Sequence, residues 1–298
     1  MSYSTDEIIL KIAELKSLAR TAEYFSYSPS RISQILKAAE EEYGVALFLR
    51  GKTGLVPTAA CQALLPALQN LINDRRRLRE ELDGLKNIRT GTIRIGSFTS
   101  LSCHWLPQRL KAFSRRYPGI RFELKLGEGD QIADWVRQGV IDVGLMSDPA
   151  AEDLRFIPLL EDPFVVVVPQ GHPLAGCGSV TCEQLRGEQF ILLEPEDNRA
   201  MENQMRKEGF RPHVQYRVKD DYTIMSLVES GLGVSILPGL VLNRTPYRIC
   251  ALELMPPCIR TTGLVLGAQE HVSPATDRLV SFLLRGEEQA AAEEEGEE

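Results

Sequence analysis

The sequence predicts an α/β protein in which an all-α N-terminal region, one long helix and a larger mixed region follow one another. Three observations lead to this prediction. Residues 17–40 carry apolar positions at helical spacing around a Ser/Pro turn, residues 58–89 carry a leucine repeat, and strand and helix patterns alternate after residue 91. With 298 residues and 43% hydrophobic content, the chain is long enough to bury more than one core.

Residues 17–40 predict two helices joined by a tight turn. Ser17 is a suitable N-cap for the first helix, and Ser28 followed by Pro29 is a typical start for the second. Apolar residues of the second helix recur every three or four positions and should face a core. Its predicted outward residues are polar: Ser30, Arg31, Ser33, Gln34 and Lys37. Such side chains bond base edges and phosphates, which favours a helix-turn-helix that reads DNA. An ordinary helical hairpin with a solvated face fits this pattern too.

A small β-wing is predicted after the two helices. Apolar residues on both sides of the turn 51–54 can form two short strands. In a winged helix-turn-helix, Arg50, Lys52 and Thr53 would lie against the phosphate backbone, where contacts position the protein without reading sequence. The predicted DNA-binding residues are therefore Ser28, Pro29, Ser30, Arg31, Ser33, Gln34, Lys37, Arg50, Lys52 and Thr53.

Residues 58–89 predict a long helix with one apolar seam. Thr58 is its expected N-cap, and Pro66 should kink its first turns without ending it. The seam alternates steps of four and three residues, with Arg75 at its one charged position; its leucines are Leu64, Leu68, Leu71, Leu78, Leu82 and Leu85. This spacing is typical of a dimerising coiled coil, while packing on the helix's own domain is the alternative. A dimer would present two recognition helices to half-sites about 34 Å apart.

The formal charge of −7 is unusual for a protein that contacts phosphates. The acidity is local, because residues 286–298 hold seven Glu and no basic residue, and removing them brings the charge to zero. We expect a disordered tail over residues 287–298. With neither a signal peptide nor an apolar run that could span a bilayer, the chain is expected to be cytoplasmic and free of membranes. Six cysteines without paired spacing predict reduced thiols and no metal site.

A set of spaced positions in the first sixty residues forms a recognisable motif: Ser17, Leu18, Ala22, Glu23, Ser28, Pro29, Ser30, Ile32, Ser33, Glu40, Gly44, Val45, Leu47, Phe48, Arg50, Thr58 and Ala60. On these positions the first sixty residues resemble the N-terminal domain of LysR-type transcriptional regulators. Three positions depart from the family pattern. Gln34 stands where Arg is frequent, Ala39 where Leu is frequent, and Cys61 where Gly is usual. Because of Gln34, the base preference cannot be transferred from relatives.

Residues 142–145, 171–174 and 231–238 resemble the effector-binding domain of the same family, which is similar to type 2 periplasmic binding proteins. The resemblance implies a winged helix-turn-helix at 1–60 and a two-lobed effector domain at 91–286. Lobe one is then expected at 91–162 and 268–286, and lobe two at 163–267. It also implies an effector bound between the lobes.

The predicted effector site lies where strands give way to helices. Thr99, Ser100 and Ser102 surround a predicted helix N-terminus, which favours a polar or anionic effector. Ser100 and Ser147 match positions where the family places a hydroxyl, although serines here can also act as N-caps, the favoured role for Thr99 and Ser102. From lobe two, we expect the turn 194–198 and the loop 231–235 to close on the ligand; their candidate residues are Glu194, Asp197, Gly233 and Val234.

Cys103 lies near the same helix start, where a lowered thiol pKa would suit a redox sensor; a small buried cysteine is the commoner outcome. Its neighbour His104 cannot face it on a helix, so a Cys/His catalytic pair is not expected.

Together the patterns predict a ligand-responsive regulator that binds inverted-repeat DNA as a homodimer or homotetramer, with no cofactor besides its effector and no enzymatic activity. The alternative is a ligand-binding module or enzyme of the α/β class whose N-terminal helices serve only for dimerisation.

Overall fold

The computed structural model describes residues 3–51, 54–85, 91–147, 153–194, 199–267 and 272–294. The chain forms two compact units. The first comprises residues 1–90 with 138–140, and the second comprises residues 91–137 with 141–298.

The described part of the first unit contains helices and one small hairpin. Its elements are α1 (Thr5–Leu15), α2 (Leu18–Phe25), α3 (Pro29–Tyr43), β1 (Phe48–Gly51), β2 (Gly54–Pro57) and α4 (Ala59–Leu85). The predicted helix-turn-helix is confirmed as α2 and α3. The Ser17 hydroxyl accepts a hydrogen bond from the Arg20 amide at 3.3 Å, and the Ser28 hydroxyl accepts one from the Arg31 amide at 3.2 Å. Both caps satisfy amides that would otherwise lack partners.

Helix α1 is absent from the sequence-based prediction. The Ser4 hydroxyl accepts from the Glu7 amide at 3.3 Å, and the Glu7 carboxylate accepts from the Ser4 amide at 2.7 Å. This reciprocal capping box was visible in the sequence, ahead of Ile8, Ile9 and Ile12, which are all buried. Helix α1 therefore supplies one wall of the core onto which α2 and α3 pack.

Helix α4 begins where the sequence predicts. The Thr58 hydroxyl accepts from the Cys61 amide at 3.1 Å and donates to the Ala46 carbonyl at 2.8 Å, so it caps α4 and holds the wing at once. Pro66 lies inside the helix without ending it. Strands β1 and β2 pair antiparallel as the expected wing.

The second unit alternates strands and helices. Its strands are β3 (Gly91–Ser97), β4 (Ile120–Leu126), β5 (Val143–Ser147), β6 (Leu154–Pro169), β7 (Ser179–Thr181), β8 (Gln189–Leu193), β9 (His213–Val218), β10 (Ser235–Pro238), β11 (Ile249–Met255) and β12 (Ile259–Gly267). Its α-helices are α5 (Thr99–His104), α6 (Leu106–Arg116), α7 (Gly129–Arg137), α8 (Arg199–Lys207), α9 (Asp221–Glu229) and α10 (Pro274–Glu294). Short 3₁₀ helices span Pro173–Gly176, Glu183–Leu185 and Gly239–Leu242.

The main sheet of this unit has the strand order β4-β3-β5-β12-β6-β11-β7, and β10 also pairs with β6. Strand β3 is parallel to both β4 and β5, as expected of the predicted βαβ units, whereas β12 and β11 run antiparallel to β6. Strands β8 and β9 form a separate parallel pair. These sheets make the α/β fold with two lobes that the sequence predicts.

Strand β6 crosses from one lobe to the other. Residues 154–163 pair with β12, and residues 164–169 pair with β10 and β11. The apolar run of residues 164–169 predicts a strand, whereas residues 154–163 carry no such run. The strand over residues 154–163 was not predicted because it contains Pro158, Pro163 and an acidic pair between them. Prolines and charges are typical of loops or edge strands.

The pairing of β12 corrects the predicted lobe boundary. The sequence-based limit placed residues 163–267 in lobe two, but β12 pairs with β5 and with the first half of β6. Residues 259–267 therefore belong to lobe one. The error arose because strand pairing brings together residues far apart in sequence, which composition does not reveal.

Helix α10 continues to Glu294, into the segment 287–298 that was predicted to be disordered. Ala and Glu have high helix propensity, so the same composition that suggests a solvated tail also extends a helix. Among the described residues, no helix is long and apolar enough to cross a membrane.

Candidate DNA-binding and effector sites

One face of α3 is polar and exposed. Ile32, Leu36 and Ala39 are buried against the N-terminal core, as the spacing predicts. The candidate DNA-binding residues of this region are all exposed: Ser28, Pro29, Ser30, Arg31, Ser33, Gln34 and Lys37. The Ser28 hydroxyl lies 3.0 Å from that of Ser30, so the start of α3 presents two adjacent hydroxyls.

Two charged residues complete this surface. Lys37 lies 3.6 Å from Glu41 in an exposed pair one helical turn apart. Such pairs contribute about 0.3–0.5 kcal/mol, so a phosphate can replace Glu41 at little cost. Arg50 is exposed on β1. The other two predicted wing residues, Lys52 and Thr53, lie outside the described residues.

Glu40 fixes the wing to helix α3. The sequence placed Glu40 in a family motif but did not reveal this role. Its Oε1 atom accepts hydrogen bonds from the amides of Leu47 at 2.7 Å and Phe48 at 3.2 Å. A carboxylate that accepts two backbone bonds holds the chain firmly. Glu40 therefore sets the distance between α3 and β1, the two elements predicted to contact DNA.

The leucine seam of α4 divides into two parts. Leu64 and Leu68 pack against the core of the first unit. Leu71, Leu78 and Leu82 are 54%, 59% and 47% exposed, and the side chain of Leu85 lies outside the described residues. Arg75, the charged seam position, lies 3.7 Å from Asp6 of α1. The first part of the seam therefore packs on its own domain, as the alternative interpretation predicts, and the second part is exposed within the described chain, so that the coiled coil stays a prediction there.

The lobes of the second unit meet around a buried arginine. Arg260 of β12 is 7% exposed and donates from Nε at 2.9 Å and from Nη2 at 2.7 Å to Asp162 of β6, which is 2% exposed. Arg260 Nη2 also donates to the Ser100 hydroxyl at 3.1 Å. The second Asp162 oxygen accepts from the Leu240 amide at 2.8 Å. We call Arg260, Asp162 and Ser100 the lobe-junction cluster.

Ser100 is the effector candidate that belongs to this cluster, because its hydroxyl accepts a hydrogen bond from Arg260. Helix α5 begins after Phe98, and no side chain caps it. The expected capping role of Thr99 and Ser102 is therefore wrong, since both residues lie inside the helix rather than before it. The ring of Phe98 instead packs 4.9 Å from the Arg260 guanidinium.

Three buried polar atoms of the second unit have no hydrogen-bond partner among the described residues. They are the hydroxyls of Ser102 and Ser147 and the Oδ1 atom of Asp221. Ser147 ends β5, and Asp221 begins α9. Because buried polar groups nearly always have a partner, these atoms mark where a polar ligand could bind. Two of them, Ser102 and Ser147, were predicted from the sequence, and Asp221 was not.

Burial raises the pKa of Asp221 to about 6. Arg260 opposes this shift, and the carboxylates of Asp220, Glu128 and Asp162 add to it. The guanidinium of Arg260 thus interacts with the carboxylates of both Asp162 and Asp221. With Asp221 ionised, this region has an excess of negative charge, and a ligand that donates hydrogen bonds to Asp221 would relieve it.

We expect Asp221→Asn to stabilise the protein above pH 6. The raised pKa means that the folded state binds a proton more tightly than the unfolded state, so stability falls as pH rises from about 4 to 6. Removing the carboxylate should recover about 3 kcal/mol at pH 7.5, since each unit of the pKa difference is worth about 1.4 kcal/mol, and the gain should shrink as pH falls toward 4. Urea unfolding across this range measures it. Glu253→Gln, at an exposed acid of β11, is the control, and a gain independent of pH would contradict the assignment.

The lobe-two candidates are placed less favourably for a ligand. Glu194 follows β8 and is half-buried, with its amide donating to the Val218 carbonyl at 2.7 Å. Asp197 lies outside the described residues. Gly233 lies against the Gln189 carbonyl, where a Cβ would come within 2.5 Å.

Val234 uses both backbone groups in bonds to Gln189 and Ile191, at 2.9 Å each, and its side chain is buried. The prediction that Gly233 and Val234 contact the effector stays a prediction, and the structure gives both residues a packing role. Both residues pack the loop 231–235 onto β8, a pairing that the sequence did not reveal.

Cys103 is exposed, contrary to the buried position that is commoner for a lone cysteine. The neighbouring residue His104 lies 2.9 Å from the Tyr222 hydroxyl, and burial, then Arg244, lower the pKa of His104. Burial and the nearby Cys103 raise the pKa of Tyr222. Cys61 is buried at the start of α4, which raises the pKa of its thiol. The raised pKa of Cys61 disfavours its thiolate form.

No group of three or more metal-ligating residues occurs within the described parts of the chain.

Comparison with known families identifies both units. The model described as "LysR substrate binding domain" matches residues 86–287, and the model described as "Bacterial regulatory helix-turn-helix protein, lysR family" matches residues 7–62. The chain belongs to the LysR family of transcriptional regulators.

Individual proteins agree with this membership. "Probable HTH-type transcriptional regulator LrrA" from Synechococcus elongatus is 30% identical over 285 residues, covering 95% of this chain and 96% of that protein. Full-length CbnR in complex with its target DNA has a TM-score of 0.72 at 20% identity, covering 96% and 99%. The effector-binding domain of QuiR in complex with shikimate has a TM-score of 0.62 at 23% identity, covering 66% and 96%.

Family membership decides between the two functional hypotheses. This LysR-family protein is a DNA-binding transcriptional regulator with an effector-binding domain. It is not an enzyme whose N-terminal helices only dimerise, because those helices match the family's DNA-binding domain itself.

Proposed function

We propose that this LysR-family regulator binds an inverted-repeat operator as a homodimer, and that a small polar effector between the lobes changes its affinity for DNA. Residues 1–60 would bind DNA, residues 58–89 would mediate dimerisation, and residues 91–286 would bind the effector. Two such dimers would pair into a tetramer.

The exposed polar face of α3 is the observation that carries this proposal. Arg31 and Gln34 are the side-chain types that bond guanine and adenine bidentately in the major groove. Arg50, Lys37 and the hydroxyls of Ser28 and Ser30 are suited to phosphates, with Lys52, Thr53 and Ser33 as further candidates. CbnR, which shares the fold, has been crystallised with its target DNA, which supports the same use of the domain here.

The exposed leucines of α4 support the dimer. Leu71, Leu78 and Leu82 lie on one stripe and are each about half exposed. A stripe of large apolar side chains on a long helix favours pairing with a second copy of that helix. Pairing would place two α3 helices on successive half-sites.

Three buried polar atoms without partners among the described residues support the effector site. An effector bonded to Ser102, Ser147 and Asp221 would satisfy three buried polar atoms, with Thr99 and Glu194 as further candidates and Ser100 held by Arg260. QuiR binds shikimate, a ligand with several hydroxyls, and a ligand with hydroxyl or ammonium groups suits Asp221 here. The effector can shift the equilibrium between two arrangements of the lobes only by the difference in its affinity for them.

Gel-shift titration on the intergenic DNA beside the regulator's own gene tests the proposal. We expect salt-sensitive binding that prefers this DNA over an unrelated duplex of equal length. Arg31→Ala should cost about 1–3 kcal/mol and relax the preference at one base pair, whereas Arg50→Ala should weaken binding to all sequences and lower the salt slope by about 1. Arg155→Ala, at an exposed arginine of lobe one, is the matched control.

Binding that shows no sequence preference, or that Arg31→Ala leaves unchanged, would contradict the proposal.

The effector part is tested by a thermal-shift screen of the full chain against hydroxy acids and amino acids. A ligand present at a hundred times its Kd stabilises its target by about 2.7 kcal/mol. The same ligand must then change the gel-shift midpoint, and its effect must be lost in Ser147→Ala.

A further inference from the structure

Lobe two contains a cavity of about 300 Å³ between α8 and the β8–β9 pair. Its interior is apolar, with the side chains of Phe190, Met201, Phe210 and Ile236 buried around it and Met205 partly buried. Methionines adapt to ligands of different shapes because their side chains are unbranched and flexible. None of the residues proposed for the effector site lines this cavity.

The rim of the cavity is charged. Arg211, Arg217 and Glu202 line it and are exposed. None of the three makes an ion pair or side-chain hydrogen bond with another residue in the described parts of the chain. The rim therefore offers two guanidinium groups against one carboxylate, a net positive charge beside an apolar interior.

Size and charge together define the ligand class. At about 30 Å³ per non-hydrogen atom in a condensed phase, a volume of 300 Å³ holds about ten such atoms. This volume lies at the lower end of the range for small-molecule pockets. Guanidinium groups bind carboxylates in fork geometry, and an ammonium would be repelled by both of them.

We propose that lobe two holds a second ligand site, separate from the cleft between the lobes, for a small amphipathic carboxylate. The apolar chain of the ligand lies among Met201, Met205 and Phe210, and its carboxylate lies between Arg211 and Arg217. Binding joins α8 to β8 and β9 and so stabilises lobe two. The proposal stands whether or not the cleft binds a polar effector.

Isothermal titration of the full chain with octanoate, 1-octanol and octylammonium tests the site, because these probes share one chain and differ in charge. We expect octanoate to bind at least about tenfold tighter than the other two. Arg217→Gln and Arg211→Gln should each weaken octanoate binding about threefold to fivefold, as expected for an exposed charge pair. Glu202→Gln should strengthen it by a similar factor.

Two further variants separate this site from nonspecific binding. Arg248→Gln removes an exposed arginine of lobe two that does not line the cavity and should leave octanoate affinity unchanged. Val214→Phe fills part of the cavity and should abolish binding while the variant still shows a cooperative unfolding transition. Equal affinities for the three probes, no octanoate binding at millimolar concentration, or indifference to the Arg217 and Glu202 variants would overturn the proposal.

Discussion

Arg260→Met is expected to destabilise the effector-binding unit by about 3–5 kcal/mol, the cost of leaving a buried partner charge alone. Asp162 would keep its bond from the Leu240 amide but lose both bonds from the guanidinium. Ser100 would lose its donor as well. Because these three residues come from β12, β6 and α5, the loss should loosen the packing of lobe one next to its hydrogen bond with Leu240 of lobe two.

Urea unfolding followed by circular dichroism measures this change. A double variant, Arg260→Met with Asp162→Leu, should recover most of the lost stability, since removing both charges leaves no buried ion. Arg155→Met, at an exposed arginine on the same strand as Asp162, should change stability by less than about 0.5 kcal/mol. If the double variant is no more stable than Arg260→Met alone, an unpaired Asp162 charge is not the cause of the lost stability.

Leu71→Asp combined with Leu78→Asp is expected to dissociate the proposed dimer and to reduce operator affinity more than about 100-fold. Both leucines are more than half exposed, so the monomer should keep its fold, while two carboxylates placed in a coiled-coil seam would face their copies in the partner. A monomer binds one half-site only and loses the gain in effective concentration that a linked second half-site provides.

Analytical ultracentrifugation gives the oligomeric state and gel shift gives the affinity. Leu284→Asp, at an exposed leucine of α10 in the other unit, is the matched control for adding a carboxylate to an apolar surface. A double variant that remains a dimer and binds DNA normally would show that these leucines serve another purpose.

How far the sequence predicts this molecule depends on the range of the interactions involved. The helix-turn-helix was predicted almost residue by residue, because its caps and apolar positions act over three or four residues. Ser28, Pro29 and the buried Ile32 are examples, and the capping box of Ser4 and Glu7 could have revealed α1 by the same reasoning.

The effector region depends on distant residues. Arg260 meets Asp162 across 98 residues and Ser100 across 160 residues, and no local pattern announces either contact. Ser147 is a candidate only through resemblance to a family, and Ser100 through that resemblance together with its place at a predicted helix start. Asp221 was missed because one aspartate at the start of a helix usually faces solvent. The packing of Gly233 against Gln189 is a further contact that no local pattern announces.

Strand β6 limits how the two lobes can move. It runs for 16 residues, with one register shift in its pairing to β12 between Thr262 and Gly263, and its partners change from β12 to β10 and β11 next to Asp162. A continuous strand cannot swing open as a flexible loop can, since bending it breaks the ladder on both sides. It can twist, because strands tolerate a range of twist angles at small cost. Effector binding would therefore change the twist of β6, and the two lobes would rotate relative to one another rather than open and close.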